Sequence, residues 1–239
     1  MNLRKKRIIY AAVLFAVLFA AAGAMGYGVA LPAAPKNPEI IEEKGAELVV
    51  VVHGMGRTEM SMLPLAWTLE RQGYDVINWG YSSTCCSVDE LGQQLADHLH
   101  ALDGPEPAKI HFVGHSLGNI IVRHVLDNNP PAPMGRVVML APPNDGSEIA
   151  DKYVDWLGWL WEPLEDLTTD EDSTVRTLAP IADREVGVIA GKYDGKVTVE
   201  ETRIASIKDH YVVPAAHTFI MNRPDVHHLT VSFLEDGTF

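Results

Sequence analysis

The run Leu48-Val49-Val50-Val51-Val52 constrains this chain more than any other segment. Five consecutive apolar residues, four of them β-branched, crowd a helix but suit a strand that is covered on both faces. Such a strand belongs in the middle of a parallel sheet with helices on either side. The rest of the chain keeps that alternation. Met62–Arg71 has helical spacing and stops at Gly73, and Asp75–Trp79 is a strand. A helix capped by Ser87 or Asp89 runs to Leu102 on the stripe Leu91, Leu95, Leu99, Leu102. Ile110–Val113 is then a strand, Leu117–Leu126 a helix, and Val137–Leu140, Val186–Ala190 and Tyr211–Val213 are further strands. Pro224–Leu234, begun by Asn222, closes the chain as a helix. Regular β-α alternation predicts an α/β fold, a mostly parallel sheet of about six strands with helices on both faces.

Charge and cysteine content narrow what such a domain can do. Arg4, Lys5, Lys6 and Arg7 are the only charged residues before Lys36, so residues 36–239 carry 15 basic against 32 acidic side chains, a net of −17. That field repels phosphate backbones and argues against a nucleic-acid partner. The two cysteines, Cys85 and Cys86, are adjacent. They exclude a disulfide framework and a zinc site built on paired CxxC motifs. Neighbouring Cα atoms lie only ~3.8 Å apart, closer than the usual disulfide range, so two free thiols are favoured over a strained bridge.

The amino-terminal 31 residues read as a targeting segment. After the basic run, residues 8–25 are almost wholly apolar and would reach roughly 27 Å as a helix, enough with the residues up to Leu31 to span a bilayer. The basic run would remain cytoplasmic and place the following domain outside the cytoplasm as a membrane-anchored protein. A cleavable signal peptide ending near Ala22-Gly23-Ala24 would give a secreted or periplasmic domain instead. Residues 32–45, with Pro32, Pro35 and Pro38, read as a semi-rigid spacer, and 46–239 as the folded domain.

Between about residues 143 and 182 the alternation lapses. Tyr153, Trp156, Leu157, Leu160 and Leu164 fall on one helical stripe with Trp159 and Trp161 beside it, and Glu162, Glu165, Asp166, Asp170, Glu171 and Asp172 follow. Either an amphipathic helix packs its aromatics on the sheet and turns its acids to water, or the insertion is a lid over an apolar pocket.

The chemistry is concentrated where the third strand meets its helix. Gly114-His115-Ser116-Leu117-Gly118 is a G-x-S-x-G match in the strand-to-turn-to-helix context that this motif needs, with glycines where a sharp turn leaves no room for side chains. A serine there is a nucleophile only with a base and an orienting acid, expected in the order Ser, acid, His. Among the downstream histidines, His124 lies within the following helix, His210 precedes a strand, and His227 and His228 lie in the closing helix. His217 alone follows the carboxyl end of a strand. Asp194, in a turn after Val186–Ala190, is the favoured acid, and Asp145, past Val137–Leu140, the other candidate. The backbone N–H groups of Leu117 and of Met55, in His53-Gly54-Met55-Gly56, would form an oxyanion hole, with His53 as a structural support.

These segments, together with Ala141-Pro142-Pro143-Asn144-Asp145-Gly146-Ser147, Asp194-Gly195-Lys196-Val197 and His217-Thr218-Phe219, resemble the α/β-hydrolase superfamily, specifically small bacterial lipase- and esterase-like proteins, over about residues 46–236. The resemblance implies a sheet of about six strands without the first antiparallel strands of larger relatives, a Ser116, Asp194, His217 triad, and hydrolysis of small-molecule or lipid esters without metal or organic cofactor. Cys85-Cys86 and the Trp-rich insertion have no counterpart in that pattern. Thioesterases, amidases, acyltransferases and non-catalytic binding modules share the fold.

An uncleaved anchor predicts that the full-length protein sediments with membranes, resists carbonate extraction and exposes its domain to protease on the non-cytoplasmic side. Amino-terminal sequencing of the mature protein checks this: a start between Ala22 and Gly28 would mean cleavage.

Overall fold

The computed structural model describes residues 46–181 and 184–239. Residues 1–31, read as a targeting segment, and the whole spacer 32–45 lie outside the described residues, among which no helix is long and apolar enough to cross a membrane. The buried run Leu48–Val52 is strand β1. It is followed by helix α1 (Leu63–Arg71), β2 (Asp75–Trp79), α2 (Val88–His100), β3 (Ile110–His115), α3 (Leu117–Asn128) and β4 (Met134–Leu140). The insertion holds α4 (Glu148–Leu157) and the short α5 (Pro163–Asp166) and α6 (Thr174–Thr177), before β5 (Val186–Gly191), β6 (Asp209–Val213) and α7 (Pro224–Asp236).

The strands pair in the order β2-β1-β3-β4-β5-β6, each neighbour parallel. Alternate residues of the fully buried β1 feed two cores. Val50 and Val52 pack with Phe112, Ile120, Ile121, Leu91 and Leu95 under α2 and α3, while Val49 and Val51 pack with Leu65, Leu69, Val113 and Phe233 under α1 and α7. The chain order reverses between β1 and β3, the point where open parallel sheets present their clefts at the carboxyl edge.

Local chemistry explains most boundaries. Ser87 accepts from the Glu90 backbone N–H while Glu90 accepts from that of Ser87, a capping box that fixes the start of α2. The stripe of α2 ends one turn short of the sequence reading, because the helix stops at His100 and Leu102 is exposed. Asn222 does not cap α7. It lies in a 3-10 turn, His217–Asn222, and Arg223 occupies the cap position without a capping bond. His227, in the closing helix, is half-buried, bonded to Thr68 Oγ1 at 3.0 Å and to the Met221 carbonyl at 2.8 Å.

Two readings are corrected. Cys85 and Cys86 are joined as a disulfide rather than being free thiols. The peptide between them holds their Cα atoms 3.8 Å apart, in the turn that leads into α2. Cα spacing bears on the cost of such a bond, not on whether a turn can accommodate it. The insertion, secondly, is not one amphipathic helix. Its first helix ends at Leu157, so the stripe counted through Leu164 splits. Tyr153, Leu157 and Trp161 pack on the core, whereas Trp156 and Trp159 are 64% and 76% exposed and Leu160 is exposed beside them. The acids are not all solvated either. Asp166 accepts from the Val88 N–H at 2.7 Å, at the amino terminus of α2, and from Thr174 Oγ1 at 2.5 Å. Asp151 accepts from the backbone and hydroxyl of Thr169.

His111 shows how the sheet uses neutral imidazoles. The Arg136 N–H donates to its Nδ1 at 2.9 Å, so its proton sits on Nε2, 3.2 Å from Glu47. Burial lowers the pKa of His53, His111, His115, His210 and His227 below the ordinary 6.5. The unfolded chain therefore binds more protons than the native one below that value. Stability is full above about pH 6.5 and falls as the pH drops toward the folded pKa values. The thermal midpoint is expected to decline between pH 7 and pH 5, before most carboxylates titrate, and to decline less steeply in His227→Gln. Calorimetry across that range measures both.

Candidate active site

Ser116 lies between the last residue of β3 and the first of α3, with φ 52° and ψ −125°. A non-glycine residue in this region is strained, and the surroundings hold it there. A Cβ at Gly118 would lie 2.4 Å from the Val52 carbonyl oxygen, and one at Gly114 2.3 Å from Asn119 Oδ1. Both glycines are thus required by close approach, as the sequence pattern implies. The turn directs the Ser116 hydroxyl out of the carboxyl edge of the sheet, where it meets His217.

His217 comes from the opposite half of the sheet, in the 3-10 turn after β6. Its Nε2 lies 2.9 Å from Ser116 Oγ and its Nδ1 2.7 Å from Asp194 Oδ2. The carboxylate can only accept from Nδ1–H, which leaves the Nε2 lone pair for the serine hydroxyl. The Asp194 side chain is wholly buried. Its second oxygen accepts from the backbone N–H groups of Lys196 and Val197 at 2.8 and 2.9 Å, so the turn after β5 orients it. Asp145 is elsewhere: its exposed carboxylate pairs with Arg176 at 2.8 Å.

The loop after β1 packs directly on this turn. A Cβ at Gly54 would be 3.0 Å from Ser116 Cβ. Neither the Met55 nor the Leu117 backbone N–H donates to a protein acceptor among the described residues. His53 is fully buried. Its Nδ1–H donates to the Gly54 carbonyl at 3.0 Å, its ring stacks on Tyr81 at 4.2 Å, and Tyr81 stacks in turn on Trp79 at 4.5 Å. The Tyr81 hydroxyl donates to the His53 carbonyl at 2.7 Å, and burial raises its pKa far above 10. Arg57 reaches across to the Thr218 carbonyl at 3.2 Å, tying this loop to the histidine turn. Lys196 lies within electrostatic reach of Arg57, and burial brings its pKa down to about 8. Among the described residues no cluster of three or more His, Cys, Asp or Glu side chains is placed to hold a metal ion.

Residues 42–142 match the family described as "Putative serine esterase (DUF676)". No curated protein matches the chain. Among solved structures, the mature lipase BlEst2 of Bacillus licheniformis is similar over 84% of this chain and 96% of its own, at 20% identity and a TM-score of 0.57. A lipase-esterase related protein from Clostridium acetobutylicum is similar over 80% and 95%, at 18% and 0.57. For the phospholipase PlaB of Legionella pneumophila the figures are 80% and 62%, at 18% and 0.56. These likenesses, with the parallel six-stranded sheet, establish the α/β-hydrolase fold.

Asn119, His115 and Tyr81 support the site and were not singled out for that role in the sequence. Asn119, almost wholly buried, donates to the Ser116 carbonyl at 3.1 Å and to the Leu140 carbonyl at 3.0 Å, pinning the turn to β4. His115 donates from Nε2 to the His217 carbonyl at 3.1 Å. Burial, with the nearby His217 imidazole, holds its pKa well below 6.5. The sequence signal for Asn119 was its place three residues after the serine, as the last residue of the Gly114-His115-Ser116-Leu117-Gly118-Asn119 motif that carries the resemblance. Asn119→Ala is expected to cost about 1–3 kcal/mol by leaving buried carbonyls unpaired, and Asn119→Asp to cost at least as much. Chemical denaturation measures both.

Proposed function

We propose that this chain, an α/β-hydrolase by fold, is a serine-dependent carboxylic ester hydrolase. The observation that carries the reading is the continuous hydrogen-bonded series Asp194 to His217 to Ser116, with the hydroxyl at the mouth of a strained turn. The likeness to lipases and esterases and the match to a serine esterase family over residues 42–142 support it.

The roles follow from the atoms. Ser116 Oγ attacks the ester carbonyl carbon while His217 Nε2 takes its proton, and the buried Asp194 carboxylate stabilises the imidazolium and holds its tautomer. The carbonyl π electrons move to oxygen, and the N–H groups of Met55 and Leu117 receive that oxyanion. Collapse re-forms the carbonyl and breaks the bond to the alkoxy oxygen, which leaves as the alcohol with the proton from His217. Water then attacks the acyl-serine by the same route in reverse and releases a carboxylic acid, ionised at neutral pH.

The substrate class we favour is an apolar acyl ester, including lipid esters. Trp156, Trp159 and Leu160 lie exposed in the insertion after β4, and Met60, Tyr193 and Phe219 are exposed in loops after β1, β5 and β6. All belong to connections that leave the carboxyl edge, where Ser116 sits. An anchor in residues 1–31 would keep the domain within reach of a bilayer, outside the cytoplasm.

The full-length protein should hydrolyse short-chain nitrophenyl esters and react rapidly with a fluorophosphonate probe. Ser116→Ala is expected to abolish both, and Asp194→Asn to reduce turnover by about 10⁴, while Asp145→Asn stays near wild type. Ser116→Ala with undiminished turnover, or no labelling of the wild type, would overturn the assignment in favour of a binding module.

A further inference from the structure

The insertion borders a cavity whose lining includes none of Ser116, Asp194 and His217. The cavity, of about 420 Å³, opens between α3, the loop after β4, α6 and the connection from β5 to β6. It could hold on the order of ten waters, far more than a single ordered solvent molecule needs.

Three of its walls carry arginines: Arg123, Arg176 and Arg203. Asp145 is its one acidic lining residue and is already paired with Arg176. The lining thus has a net charge of +2 within a region, residues 36–239, whose net charge is −17. Arg123 is the unusual member. It is 3% exposed, and its Nη1 and Nη2 donate at 3.0 Å to the carbonyls of Asn144 and Leu178. Its Nε–H has no partner, and no carboxylate forms an ion pair with it among the described residues. Asp127, one turn along α3, attracts it from a distance while accepting from the Ala179 N–H at 3.4 Å. Burial brings its pKa down to about 10, the mark of a guanidinium short of compensating negative charge. A strut needs only the two carbonyl bonds and could be neutral; a buried cation facing an open cavity calls for an anion. Exposed Arg203 faces the same space from the β5–β6 connection.

We propose that this cavity binds an organic anion, a single carboxylate or phosphate head on an apolar body. The head is held by Arg123 and Arg203, and the body lies against Pro180, Ile204 and Ala205. Arg supplies the planar donor fork that such oxyanions accept. The ester-hydrolase reading bears only on the source of the ligand: a carboxylate with an apolar body is what ester hydrolysis releases. Because Arg123 belongs to the helix that Ser116 begins, and Leu178 to the end of the insertion, an occupant would brace both.

Calorimetric titration of the full-length Ser116→Ala protein with hexanoate, hexyl phosphate and hexanol tests this without depending on turnover. Saturable binding of both anions and none of hexanol is expected, weakened at least tenfold by adding Arg203→Ala. Hexanoate binding more tightly than hexyl phosphate would identify the carboxylate product as the source, and the reverse order a phosphate-headed ligand. Equal affinity for hexanol, or anion binding unmoved by Arg203→Ala, would overturn the proposal. Arg123→Gln should lose binding as well; if it does not fold, the Arg203→Ala result decides. Loss of hydrolysis by the wild type would sink the ester reading and leave this titration intact.

Discussion

The contact on which the site depends is between backbones: the first turn of α3 against the end of β1. With a side chain at Gly118 the helix would be driven off the carbonyls of Val52 and His53. That approach brings the loop carrying Met55 alongside Ser116 and lets Asn119 reach β4. The positive φ of Ser116 is tolerated because both flanks of the turn are already committed to packing. The hydroxyl is therefore presented by the packed core.

The remaining parts are delivered along one edge of the sheet. β5 ends in the turn that fixes Asp194 with two backbone donors, and β6 ends in the turn that carries His217. His115 and Arg57 then grip the histidine turn through two successive carbonyls, those of His217 and Thr218. A neutral imidazole suits the first of these tasks, since it donates one hydrogen bond in a dry interior without bringing in charge.

Strands and most helices were legible in the sequence because periodicity reports burial, and burial is what organises a parallel sheet. The order Ser116, Asp194, His217 was legible for a related reason: each follows the carboxyl end of a strand, and strand ends are the easiest boundaries to read. What stayed hidden depended on partners distant in sequence. The insertion's helical stripe carries no sign that the helix stops at Leu157, because Gly158 keeps helical dihedrals and the path changes only beyond it. Asp166 looked like one of a solvated run of acids, yet it caps a helix that begins seventy-eight residues earlier. Asn119 and Tyr81 bond to main-chain carbonyls, and a carbonyl leaves no trace in the identity of the residue that owns it.

β6 pairs with β5 on one side and forms the border of the sheet. The imidazole at the centre of the proposed chemistry is thus tethered to the strand with the fewest neighbours, while the hydroxyl it serves is rooted in a central strand. Fraying of that border would part the two while both cores stayed packed. Catalytic competence would then be lost in a partial opening milder than global denaturation, so heat or denaturant would silence the protein while its bulk secondary structure remained in place.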